Sequence, residues 1–159
     1  MTGLTSELAA RSAGLRFDEL PDNVVEMARL CVLDWLGVTV VGSQEPAPRI
    51  LLRTLAPDTV TDGASVIGHG IQVSPLRAAV VNGTSSHILD FDDVNTPECD
   101  PALQRQRLEQ KFRIITTPHL GVSRAQAVIT AVALPRAALD VRAITRLTRH
   151  VSSRSGEPR

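Results

Sequence analysis

Residues 22–42 constrain the fold more than any other stretch of this chain. Val24, Met27, Ala28, Cys31, Leu33, Trp35 and Leu36 form a wide apolar band that continues through Gly37-Val38-Thr39-Val40-Val41. Pro21-Asp22 provides a start, since proline suits the first helical turn and an early acid suits the positive end of the helix dipole. A helix apolar on most of its sides is stable only between neighbours. The segment therefore predicts a bundle with a buried central helix. In that setting Cys31 reads as a small core residue, and Asp34, an acid inside the band, as a hydrogen-bonded structural group.

The remaining segments fit the same architecture. Leu4, Leu8, Ala9 and Ala13 predict a short amphipathic helix stopped at Gly14, with residues 16–20 as a connector. Residues 42–48 have loop composition and residues 49–55 make a short helix. Residues 63–73 read as a small β element flanked by glycines. Ser74-Pro75 is a helix start, a hydroxyl followed by proline, and that helix runs through Ala78, Ala79 and Val80 to His87 and Leu89. In the last third, a helix over 102–112 is expected to break at Thr116-Thr117-Pro118, a second spans 125–134, and a short third carries Leu139, Ile144 and Leu147. The fold class is mainly α with one small β element and a C-terminal helical segment. With 159 residues the chain is one domain or slightly more, and its core is aliphatic, since it has one Trp, three Phe and no Tyr.

Several function classes drop out on composition. Cys31 and Cys99 make neither a disulfide scaffold nor a zinc site. The glycines at 63, 68 and 70 follow neither the dinucleotide fingerprint nor a P-loop. The chain opens without a charged-then-apolar leader and holds no apolar run of membrane-spanning length, which predicts a cytoplasmic protein and no membrane partner. Charge is uneven: residues 1–100 carry 6 Arg against 14 Asp and Glu, and residues 101–159 carry 11 Lys and Arg against 3. Such asymmetry marks either a nucleic-acid tail or two parts that attract each other. The basic residues lie among apolar ones with Phe112 as their one aromatic, so stacking platforms are missing and a solvated helical surface is the better reading.

Chemistry concentrates at Val81-Asn82-Gly83-Thr84-Ser85-Ser86-His87-Ile88-Leu89-Asp90-Phe91-Asp92-Asp93, where one imidazole and three carboxylates fall within seven residues. On a helix His87 and Asp90 share a face, as do Asp90 and Asp93. A carboxylate beside a histidine fixes its tautomer, and crowded carboxylates raise one another's pKa, which is how a general base or acid is made near neutral pH. The same residues also suit a helix end whose acids face water. A calcium loop starting at Asp90 fails, because Val94 and Asn95 stand where an oxygen ligand and a glycine are required. A magnesium site from the three aspartates is the residual metal reading. His69 reads as a turn residue, and His119 and His150 as surface residues.

The sequence resembles the MmgE/PrpD family of 2-methylcitrate dehydratases and cis-aconitate decarboxylases. The resemblance rests on Asp34-Trp35-Leu36-Gly37, on Ala78-Ala79-Val80-Val81-Asn82-Gly83, and above all on His87-Ile88-Leu89-Asp90-Phe91-Asp92-Asp93, which matches the family's H-x-x-D-[FY]-D-D signature. A weaker similarity at Glu109-Gln110-Lys111-Phe112-Arg113, Leu120-Gly121 and Arg124-Ala125 is to the family's C-terminus. The resemblance implies a helical large-domain fragment over 1–97, a junction over 98–107, a C-terminal helical segment over 108–150 and a flexible tail over 151–159. It further implies cofactor-free, metal-free dehydration or decarboxylation of a small tricarboxylate in a homodimer. Asp90, His87 and Asp93 carry over as catalytic positions, and Asn82 and Asp92 as substrate-binding ones. The family's middle, with further site histidines and lysines, has no counterpart, and Val94 replaces a threonine after the signature. The expectation is an impaired lyase; the alternative is a catalytically silent helical dimerisation module.

Overall fold

A computed structural model describes residues 3–55, 60, 62–89, 100–134 and 140–149. Helix α1 spans Leu4–Gly14, and its Arg11 guanidinium donates to Glu7 one turn back at 2.8 Å. A 3-10 turn over Phe17–Glu19 leads to Pro21, which caps the central helix α2, Asp22–Gly42. Helix α3 follows at Pro46–Leu55. Strands β1, Ala64–Ser65, and β2, Gln72–Val73, pair antiparallel with Ala64 opposite Val73. Then come α4, Pro75–His87, α5, Pro101–Leu120, α6, Val122–Val132, and α7, Val141–Leu147. The mainly α class with one small β element is what the structure shows.

The core sits around α2. Leu33, Leu36 and Val40 of α2 meet Phe112 and Leu120 of α5, Val128, Ile129 and Val132 of α6, and Ile144 of α7. A smaller cluster joins Val66 and Val73 of the hairpin region to Ala78 and Val81 of α4, with Leu51 and Leu52 of α3 packed on it. The α2–α4 approach is close enough that a Cβ on Gly42 would lie 2.0 Å from the Ser85 carbonyl oxygen. Ser85 itself is buried, its hydroxyl folded back onto Val81 O at 2.9 Å. Gly83 faces the other way, with open space where a side chain would stand.

Charged residues tie the two halves. Lys111 Nζ of α5 lies 2.9 Å from Asp34 Oδ1 of α2, and Arg105 pairs with Glu26 across the same two helices. Asp34 is thus the paired structural acid its setting suggested.

Several expectations need correction. Cys31 is exposed, not a core residue, because among the described residues no helix covers the side of α2 that carries it. Val24, Met27, Val32 and Trp35 of α2 are likewise 41–46% exposed, so the apolar band is covered on only part of its circumference. Helix α3 begins at Pro46, inside the stretch read as loop. Helix α5 does not break at Thr116-Thr117-Pro118 but runs to Leu120. Proline at 118 removes the backbone donor for the Ile114 carbonyl in the final turns, a loss that a helix end tolerates, while the Thr116 and Thr117 hydroxyls fold back onto the carbonyls of Phe112 and Arg113 at 2.7 and 2.6 Å. The helix ends at Gly121, whose φ of 78° belongs to the left-handed region. Helix α6 correspondingly starts at Val122, not 125.

Gly42 of α2, which faces α4, and Gly83 within α4 give opposite expectations. Gly42→Ala forces a methyl group into the Ser85 carbonyl, and overpacking of about 1–3 kcal/mol exceeds the gain in helix propensity, so the urea midpoint falls. Gly83→Ala meets nothing and removes backbone entropy from the unfolded chain, so the midpoint rises by up to about 1 kcal/mol in stability. Equal effects from both changes would refute the packing assigned to Gly42.

Candidate functional site

The candidate site grows from α4 and the hairpin it holds. Asn82, in the middle of α4, accepts from Ile67 N at 3.0 Å through Oδ1 and donates to Ser65 O at 3.0 Å through Nδ2. Its carboxamide thus replaces a strand partner for backbone groups that the two-residue strands leave unpaired. On the far side of the turn, His69 Nε2 lies 3.1 Å from Ser43 O at the end of α2. A carbonyl can only accept, so that ring nitrogen carries the proton. These two side chains fasten the hairpin to both α4 and α2.

Chain direction then follows. The last residue of α4 is His87, exposed to solvent, and Ile88 closes the helix with its N–H on Thr84 O at 3.2 Å. Asn82 and His87 are about 140° apart around the helix at 100° per residue. The structure therefore does not bring these two predicted site residues together: Asn82 is inward on the hairpin and His87 is outward. Ser86 donates its hydroxyl to Gly83 O at 2.9 Å and Thr84 to Val80 O at 3.0 Å, so both hydroxyls serve the helix itself. Asp90, Asp92, Asp93 and Val94 lie outside the described residues, and with them the magnesium reading. Among the described residues, no group of three His, Cys, Asp or Glu side chains is placed to hold a metal ion.

A concavity of about 340 Å³ adjoins this region. Its walls include Phe17 and Leu20 of the connector, Val25, Val32 and Trp35 of α2, Val132 of α6, and Val141 and Ile144 of α7. Ser65, Asn82, Thr145 and Arg29 are its polar contributors. Asn82 turns its carboxamide to the hairpin backbone, and Thr145 Oγ1 lies 3.5 Å from Ser65 Oγ. Arg29 stands 3.8 Å from Glu26. Reading the sequence missed this groove. The signal was present as a surplus, since α2 carries more apolar residues than its neighbours can cover.

Residues 6–100 match the MmgE/PrpD N-terminal domain. Cis-aconitate decarboxylase of Aspergillus terreus is 26% identical over 95 residues, 60% of this chain and 19% of that protein. The human cis-aconitate decarboxylase is 28% identical over 103 residues, 64% of this chain and 21% of that protein. The 2-methylcitrate dehydratase of Salmonella typhimurium is 38% identical over 69 residues, 43% of this chain and 14% of that protein. The chain thus spans about a fifth or less of the curated relatives it matches. No solved structure matches it. With more than half of its length matched, and the match running through both α2 and the His87–Asp93 signature, the chain belongs to the MmgE/PrpD family.

Proposed function

We propose that this chain is a lyase-like member of its family, with the residues of one proton-handling position and reduced capacity for turnover. The observation that carries the reading is the family match over residues 6–100, which includes the whole signature. In this proposal the Asp90 carboxylate exchanges a proton at the carbon next to a substrate carboxylate, with His87 and Asp93 setting its charge state. Dehydration would pass the C–H electron pair into a new double bond as hydroxide leaves and becomes water. Decarboxylation would release CO₂ and return a proton to carbon. Asn82 and Asp92 are proposed as substrate-side residues, and a small tricarboxylate as the substrate.

The reduction follows from charge. A tricarboxylate needs several cations or oriented donors, because burying carboxylates without them is prohibitive. The 340 Å³ groove is apolar, and its guanidinium, Arg29, already has Glu26 beside it. That observation favours the second reading, a silent helical module that associates through its helices. A base lacking positioning groups forfeits most of its rate advantage.

Purified protein incubated with cis-aconitate or 2-methylcitrate should give slow release of CO₂ or unsaturated product, abolished by Asp90→Asn. Turnover that survives Asp90→Asn removes the residue assignment, and a complete absence of turnover leaves the silent module. Asn82→Ala is expected to lower stability by about 1–3 kcal/mol in urea denaturation, because Ile67 N–H and Ser65 C=O lose their partner. An Asn82→Ala protein of undiminished stability would limit Asn82 to contact with substrate.

A further inference from the structure

Asn82-Gly83 is a pair with chemistry of its own. Of the three asparagines in the sequence, Asn82 alone precedes a glycine; Asn23 and Asn95 precede Val24 and Thr96, whose branched side chains crowd the next backbone nitrogen. In an asparagine-glycine pair the glycine nitrogen can attack the side-chain carbonyl carbon of the asparagine. A bond forms between Gly83 N, which gives up its proton, and Asn82 Cγ. The Cγ–Nδ2 bond breaks, and ammonia leaves with that proton. Water then opens the resulting succinimide ring, on one side to aspartate and on the other to isoaspartate, whose main chain runs through the former side chain.

The glycine is otherwise unexplained. A Cβ at 83 would meet nothing within 4 Å, and Gly83 is not among the glycines with positive φ, so neither packing nor backbone conformation calls for it. It nevertheless costs the middle of α4 about 1 kcal/mol relative to alanine. What it changes is access to Asn82 Cγ.

Folding closes that route at both ends. Inside α4 the Gly83 N–H is spent on the carbonyl four residues back. The Asn82 carboxamide is held on the hairpin, with Oδ1 accepting from Ile67 N and Nδ2 donating to Ser65 O, each at 3.0 Å. Attack requires the carboxamide to turn back onto its own main chain, so both bonds must open first. The product cannot remake them. A carboxylate only accepts, so Ser65 O loses its donor and faces a second acceptor. Isoaspartate also inserts an extra main-chain carbon into α4 and breaks its repeat.

We propose that Asn82-Gly83 is a self-modifying site, shut while the hairpin is docked on α4 and open once it undocks, and that its product keeps the hairpin from docking again. Undocking thereby leaves a one-way covalent mark. The inference rests on the hairpin contacts of Asn82 and not on the lyase reading, and its one co-reactant is water.

The full chain is held for days in mildly alkaline buffer, folded and in urea, and amide-to-acid conversion at residue 82 is followed by peptide mass spectrometry. Conversion should be about tenfold or more slower in the folded protein than in urea, because only the opened fraction reacts. Gly83→Ala should suppress conversion in urea, where helix and hairpin play no part. Val73→Ala thins the small cluster under the hairpin and lies outside the core around α2, so it should bring the rate in buffer toward the unfolded one. Asn82→Asp should speed hydrogen exchange at the Val66 and Ile67 amides about tenfold or more while the amides of α5 and α6 keep theirs. Equal rates in buffer and urea overturn the proposal, as does a Val73→Ala protein that converts no faster than the parent. Conversion that ignores Gly83→Ala overturns the chemistry, and unchanged hairpin exchange in Asn82→Asp overturns the lock. The rate comparison uses the unaltered chain, so it decides whether or not Asn82→Asp folds.

Discussion

The distance between α2 and α4 is the constraint from which the rest of this structure follows. Helices usually pack 8–10 Å apart, at a spacing set by the side chains between them. At Gly42 there is no side chain, and the neighbouring surface is the backbone carbonyl of Ser85. Five residues earlier on α2, Gly37 sits under the Phe112 ring of α5, where an added Cβ would lie 3.0 Å from Cδ2. The two glycines are about 140° apart around the helix axis. They let α2 receive a close neighbour on each of two sides. The position of α4 fixes where the chain leaves at His87, and so the direction from which the acidic signature starts.

Much of this was readable from residue order, and the parts that were not have physical reasons. Ser74-Pro75 and Pro21-Asp22 mark helix starts through backbone geometry that is local to those residues. At Ser74 proline does the work, since the serine side chain makes no capping bond. The paired state of Asp34 was legible because an acid inside an apolar band needs a partner, though nothing local could identify Lys111. Exposure was not legible at Cys31 or Trp35, because periodicity shows that a face is apolar but not whether another element covers it. Pro118 misled for a different reason: its cost depends on how many turns follow it, and only two residues of helix do. At the candidate site, the signature was visible as letters, whereas the hairpin-bracing role of Asn82 depends on backbone groups 15 and 17 residues away.

The unequal charges of the two halves acquire a use in the folded chain. Arg105 and Lys111 reach back to Glu26 and Asp34, so acids of the first half meet bases of the second along the α2–α5 contact. Each pair retains some solvent access, with side-chain exposures of 23–38%, and contributes modestly to stability. Their larger effect is on register. A one-residue slide of α5 along α2 displaces it by about 1.5 Å and would break the pairs together while Phe112 leaves the site above Gly37. Apolar packing supplies the attraction between these helices, and the ion pairs select one alignment of it.

The groove does not suit the chemistry proposed for the signature, although Asn82 of α4 lines its wall. Elimination from a tricarboxylate generates negative charge that must be met by cations or fixed dipoles in a water-poor cavity. The groove offers aliphatic and aromatic walls, and its polar atoms are engaged with the chain itself: Asn82 with the hairpin backbone, Ser65 near Thr145, and Arg29 beside Glu26. A surface with satisfied polar groups and unsatisfied apolar ones gains most from excluding water, and a protein segment does this over a wider area than a small anion can. Among the described residues, the groove's polar groups are thus spent on the chain itself, and its apolar walls are left to the connector, α2, α6 and α7.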